Sequence, residues 1–238
     1  KNYLKKSLKL LDDNPDIWCV GGRIINEYTS KTSEVIATAM STSFGMGIGN
    51  FRTLIESGFT DTVTSPMYPY RVFEQIGFFD EELIRNQDDD FNYRVTKAGG
   101  KIYFTVDISL KYYVRGTYNG LWRQFFQYGY WKVYVNKKHK AITTVRQVVP
   151  ALFVFYLGVF VLGFILGIPL ITSLPLVVYI LIALVVSLKY ASRKIQFFDL
   201  FPVFPLLHVS YGLGYIKGII EFLILNKKPS DKQKRMSR

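Results

Sequence analysis

The chain has 238 residues, of which 49% are hydrophobic, and a mean hydropathy of +0.14, a balance too apolar for an ordinary soluble domain that places part of the chain in lipid. A single cysteine, Cys19, excludes an internal disulfide and a cysteine-based zinc site. The formal net charge is +12; residues 1–147 carry 20 Lys+Arg against 15 Asp+Glu and residues 148–238 carry 10 against 3, so the more apolar part is also the more one-sidedly basic, which fits an anionic membrane surface and not nucleic acid.

Residues 3–11 carry Leu4, Leu8 and Leu11 at helical spacing and predict an amphipathic helix, ended by the breaker cluster Asp12, Asp13, Asn14 and Pro15. Residues 1–9 are basic without the apolar run of a cleavable leader, and the chain begins on Lys1, so we read it as part of a longer polypeptide. Residues 17–25 predict an apolar strand interrupted at Gly21 and Gly22, where a bulge is expected and Cys19 is a buried apolar residue. Residues 32–40 predict a short helix. The following loop holds Gly45, Gly47 and Gly49; it has neither the spacing of a dinucleotide fingerprint nor the Lys-Ser/Thr of a P-loop, so it is expected to be a flexible turn able to border a substrate. Residues 60–64 have strand character, and Val72, Phe73 and Ile76 predict a brief helix.

Residues 78–94, FFDEELIRNQDDDFNYR, concentrate three consecutive carboxylates before a helical pattern of Phe91, Val95 and Ala98. Asp88 is expected to be the N-cap, Asp90 and Arg94 a solvated i, i+4 pair, and Gly99 with Gly100 the helix end. Those roles alone would account for the acids. Three adjacent anions nevertheless raise one another's basicity, while the helix N-terminus favours the ionised form of Asp88, a combination suited to taking a proton from a hydroxyl. An aspartate-rich prenyl-diphosphate motif is not formed, because Asn92 stands where a further aspartate is required.

Residues 101–105 and 108–112 predict two strands, and residues 119–138 a long aromatic helix whose wide apolar stripe implies burial and whose basic end, Lys137 to Lys140, suits a helix C-terminus or lipid headgroups. Residues 148–166 hold no charge and are long enough to span a membrane, and residues 176–188 span if their helix begins near Leu170, with Pro169 and Pro175 flanking the turn. The basic stretch 132–146 before this hairpin and Lys189, Arg193 and Lys194 after it place both ends on the cytoplasmic side. Residues 197–225 are interrupted by Pro202, Pro205, His208, Lys217 and Glu221, and are expected to form a re-entrant or interfacial helix followed by the basic tail Lys227, Lys228, Lys232, Lys234 and Arg235.

The succession CVGGRI, FGMGIGNFR, TDTV, FEQIGFFDEEL, NQDDDFNYRVTKAGG, RQFFQYGYWK and HVSYGLGYIKG resembles the C-terminal two-thirds of membrane-associated family 2 glycosyltransferases of the succinoglycan-biosynthesis type. The resemblance implies an α/β fold, a partial GT-A-like domain in residues 1–146, followed in residues 147–238 by a transmembrane hairpin and an interfacial or re-entrant helix. It implies an inverting transfer from a nucleotide-sugar donor to a lipid-linked or saccharide acceptor in surface polysaccharide assembly, at the cytoplasmic face of the inner membrane. By position, Asp88 matches the presumed catalytic base, with Asp89 and Asp90 as supporting acids and Gln87 in place of the commoner Glu. Gln127 and Trp131 match the ends of a Q-x-x-R-W element on the acceptor and diphosphate side. Tyr130 stands where Arg is usual, leaving Arg123 or Lys132 to supply the cation. A divalent metal, Mg or Mn, is implied as cofactor, but its D-x-D ligands belong to an upstream nucleotide-binding half absent here, so this chain alone is expected to be inactive until completed by that half or by another assembly subunit. The alternative is a non-catalytic membrane adaptor that binds anionic lipid or a partner subunit.

Overall fold

A computed structural model describes residues 2–193 and 195–229; Lys194 and the tail residues Lys232, Lys234 and Arg235, to which sequence patterning assigns a sidedness role, lie outside the described residues. The described chain divides into two compact units, one of residues 2–27, 48–113 and 229, the other of residues 28–47, 114–193 and 195–228.

The first unit is a mixed sheet with helices on both faces. Helix α1 (Tyr3–Asp13) leads into strand β1 (Ile17–Glu27), and after the loop come β2 (Gly58–Phe59), β3 (Thr64–Met67), α4 (Tyr70–Ile76), α5 (Gln87–Lys97) and β4 (Lys101–Tyr113), while α2 (Lys31–Met40) and α3 (Ser43–Met46) fall in the second unit. The sheet order is β2-β4-β1-β3, with β1 and β4 parallel in the centre and the short edge strands antiparallel to them. Alternation along the strands, interrupted by register slips between Ile17 and Cys19 and between Gly22 and Arg23, divides the core in two. Cys19, Ile102 and Phe104 face Val72, Phe91 and Val95 of α4 and α5; Ile17, Val20 and Ile108 face Leu11 of α1.

Several expectations are corrected. The predicted strands 101–105 and 108–112 are parts of one strand, which pairs in parallel with β1 over residues 101–105 and again over residues 109–113, with residues 106–108 unpaired with β1 between them. The register slips between Gly22 and Arg23, where the missing side chain lets the Ile108 carbonyl approach. Leu4 and Leu8 do not face the core: α1 turns Ser7 and Leu11 inward with Tyr3 and Leu10 beside them, leaving Leu4 and Leu8 exposed. The strand expected over 60–64 is instead the two short pieces β2 and β3.

The second unit is helical. It contains α6 (Tyr118–His139), a 3-10 turn at Val145–Gln147, α7 (Val149–Ile165), α8 (Pro169–Tyr190), α9 (Phe197–Leu200), and α10 (Val203–Gly218), which continues as a π-helical turn at Ile219–Ile224. Pro175 does not flank the hairpin turn; it sits within α8, which opens at Pro169 and takes in the whole second apolar run. Among the described residues three segments, Val145–Ile165, Leu170–Tyr190 and Phe197–Ile224, are long and apolar enough to cross a membrane. The α/β sheet followed by an apolar hairpin is the expected fold class.

Helices α6 and α10 pack at backbone contact. A Cβ at Gly129 would collide with the Tyr211 carbonyl, one at Gly214 with the Phe126 carbonyl, and one at Gly218 with the Tyr130 carbonyl and Val133. Gly214 and Gly218 are spaced as the G-x-x-x-G pattern that lets apolar helices approach closely.

Candidate functional site

The acidic stretch lies at the start of α5, but Asp88 is not the cap. Asn86 occupies that position in the left-handed region (φ 61, ψ 24), a conformation Asn tolerates, so the chain turns into the helix before reaching Asp88. Gln87 fixes the approach by donating from Nε2 to the Leu83 carbonyl at 2.6 Å. Asp88, Asp89 and Asp90 therefore fill the first turn, where the helix dipole favours negative charge. Asp88 is exposed, with Oδ1 accepting the Asp89 amide at 3.0 Å; Asp89 is half-buried.

Asp90 pairs with Arg94 as the spacing predicts, at 3.1 Å, but the pair is not solvated: the Asp90 side chain is 0% exposed and that of Arg94 19%. The reason is the company Arg94 keeps. Its NH1 donates to the Ile76 carbonyl at 2.6 Å and its NH2 to the Phe78 carbonyl at 2.7 Å, while its guanidinium lies 4.7 Å from the Phe91 ring centroid. Asp90 and Arg94 thus clamp the end of α4 and the following loop onto α5. Of the three acids, one is turned outward and one is engaged in holding the turn that presents it.

A second network supports the same helix and was not legible as a site. Tyr68 donates its hydroxyl to Asn92 Oδ1 at 2.6 Å, and Asn92 Nδ2 donates to Thr62 Oγ1 at 3.0 Å, with Asn92 buried. Burial pushes the Tyr68 phenol well above its ordinary range, with Cys19 and the Asp88 carboxylate adding to the effect, so it remains a donor. Burial likewise raises the Cys19 thiol. The signal available was Asn92 itself, four residues after Asp88 and therefore on its face of the helix.

Among the described residues no three His, Cys, Asp or Glu side chains converge to hold a divalent cation, and Asp90 is committed to Arg94.

On α6, Gln127 and Trp131 meet: the indole Nε1 donates to Gln127 Oε1 at 3.1 Å, and both residues are buried. Lys132 is buried too and donates to Thr144 Oγ1 at 3.2 Å, whereas Arg123 is exposed. Tyr130 hydrogen-bonds the Glu221 carboxylate at 2.5 Å; Lys217 pairs with Glu221 at 4.0 Å and lies 5.7 Å from the Tyr130 ring and 5.8 Å from that of Phe126. Sequence patterning treats Lys217 and Glu221 only as interruptions of an apolar run; the structure joins them to the residue at the unusual Tyr position.

The glycine-rich loop is less uniform than expected. Gly45 is buried inside α3 against the Ala39 carbonyl, where no Cβ fits. Only Gly47 and Gly49 are left-handed, at φ 85 and φ 76.

No family model matches the chain. It is similar to the dolichyl N-acetyl-alpha-D-glucosaminyl phosphate 3-beta-D-2,3-diacetamido-2,3-dideoxy-beta-D-glucuronosyltransferase of Methanococcus voltae, at 27% identity over 224 residues. The chain is similar to glycosyltransferases. That alignment takes in 93% of this chain and 66% of the relative. A second relative is the succinoglycan biosynthesis protein ExoA of Rhizobium meliloti, 29% identical over 121 residues, 51% of this chain and 37% of the relative. The chain thus spans less than two-thirds of either relative's length. The transferase named in the first relative and the succinoglycan biosynthesis named in the second agree with the resemblance carried by the sequence blocks, and the exposed apolar helices α7 and α8 agree with membrane association.

Proposed function

We propose that this chain is the acceptor-side and membrane part of an inverting glycosyltransferase of surface polysaccharide assembly, which moves a sugar from a nucleotide-sugar donor to a lipid-linked saccharide. In this reading residues 1–146 carry the transfer chemistry and residues 147–238 hold it at the cytoplasmic face of the inner membrane. The observation that carries it is the split among three adjacent acids, Asp88 exposed at a helix N-terminus and Asp90 buried with Arg94, supported by likeness to a named glucuronosyltransferase.

Asp88 is the general base. As the acceptor hydroxyl oxygen bonds to the donor's anomeric carbon, its proton passes to the Asp88 carboxylate, while the bond from that carbon to the diphosphate oxygen breaks and the nucleoside diphosphate leaves with the electron pair. A single displacement inverts the anomeric centre. Asp89 and Asp90 hold the turn that aims Asp88, and Gln127 and Trp131 line the acceptor side. Arg123 is an exposed cation available to a phosphate, whereas Lys132 acts from within the fold through Thr144. Gly47 and Gly49 border the substrate. Among the described residues no three His, Cys, Asp or Glu side chains converge to hold the implied divalent cation.

The test is sugar transfer itself. Membranes containing the full-length polypeptide that carries this chain should transfer label from a nucleotide sugar into extractable lipid. A protein that binds anionic vesicles or a partner subunit but shows no donor-dependent transfer would contradict the proposal and leave the adaptor reading.

A further inference from the structure

The apolar segment Phe197–Ile224 has 28 residues, enough to cross a bilayer at ~1.5 Å per residue. Its packing within the second unit argues against a crossing. Gly212, close to the midpoint of the segment, backs onto the carbonyl of Pro150 and the side chain of Val154 of α7, with no room for a Cβ. The His208 ring lies 6.4 Å from Phe153 of α7, and its Nδ1 lies 2.8 Å from the Tyr179 hydroxyl of α8.

Both ends of the segment are also tied to parts of the chain that precede α7. At the front, Asp199 pairs with Lys31 of α2 at 2.7 Å, the Phe204 ring meets Phe44 edge-on at 5.1 Å, and His208 Nε2 lies 2.9 Å from the Phe44 carbonyl oxygen. At the back, Tyr130 of α6 hydrogen-bonds Glu221, and Lys137 Nζ donates to the Phe222 carbonyl at 2.8 Å and to Asn226 Oδ1 at 2.6 Å. Neither α2 nor α6 is a candidate span, so these ties hold the two ends on one side of the membrane.

The side of the helix turned away from α6 supplies the remaining observation. Leu213, Ile220, Leu223 and Ile224 recur at helical spacing and are exposed, and Lys227 and Lys228 follow them, exposed as well. An apolar ridge ending in cations is complementary to the acyl layer and anionic phosphates of a single leaflet.

We infer that residues 197–228 lie in the headgroup-acyl boundary of one anionic leaflet, with Leu213, Ile220 and Ile224 in the acyl layer and Lys227 and Lys228 at headgroup phosphates. The inference stands whether or not the chain transfers sugar. It is tested in the full-length protein, with Cys19→Ala as background and Lys140→Cys, Ile168→Cys or Lys228→Cys added singly in sealed vesicles. A membrane-impermeant maleimide is applied before and after permeabilisation. Positions 140 and 228 should label from the same side and position 168 from the other; position 228 labelling with 168 would overturn the inference. Depth is read independently from a bimane placed at Ile220→Cys in nanodiscs containing lipids brominated at known depths. Strongest quenching by shallow bromines, with a shift toward solvent when phosphatidylglycerol is replaced by phosphatidylcholine, is expected. Strongest quenching at the bilayer centre, or no response to headgroup charge, would overturn the placement.

Discussion

Arg94 illustrates how one side chain decides the use of its neighbours. By taking two backbone carbonyls and the Asp90 carboxylate, it makes Asp90 a structural acid and leaves Asp88 to face outward. Breaking a buried pair leaves an uncompensated charge, so Arg94→Ala should destabilise the first unit by about 3–5 kcal/mol. Thermal unfolding in detergent checks this, and a melting temperature equal to that of the parent would contradict it. Cys19 offers a simpler check: burial raises its thiol pKa, so the thiolate is suppressed, and maleimide near neutral pH should modify Cys19 only after denaturation. Labelling of the folded protein would contradict its burial. At this scale the sequence marks the acids and their spacing, since helical periodicity alone puts Asp90 beside Arg94. It leaves the burial of that pair unreadable, because burial depends on the carbonyls of Ile76, at the end of α4, and Phe78, in the loop after it, which no side-chain pattern announces.

Among elements, the long helices were legible from period and length, and α6, α7 and the strand at Ile17 fall close to their expected places. Where the expectation failed, a partner elsewhere in the chain decided the outcome. The two strands fused into β4 because β1 runs beside both, and α1 buries Ser7 and not Leu8 because the sheet meets it along Tyr3, Ser7 and Leu11. The α6 and α10 contact is another case, visible in sequence only as scattered glycines. Gly214→Ala places a methyl against the Phe126 backbone, which has no flexible end to yield, and should destabilise by about 1–3 kcal/mol. Gly158→Ala on α7 meets nothing within 4 Å and is the matched control. Equal melting temperatures for the two variants would contradict a backbone-contact interface.

For the whole molecule, the boundary expected from sequence at residue 147 is a division by hydropathy, whereas by packing α6 belongs with the apolar helices that follow it. A chain ended at residue 146 would uncover Trp131, Val133 and Gly129 of α6 by removing α10, so residues 1–146 should not give a soluble, cooperatively folding domain. A sharp unfolding transition from that truncated chain would contradict this. The acid-splitting account meets its most direct test in turnover by the full-length protein carrying Asp88→Asn. Loss of a general base should lower kcat by roughly 10²–10⁴-fold while the melting temperature stays at the parent value. Unchanged turnover, or activity lost only together with the fold, would contradict Asp88 as the base.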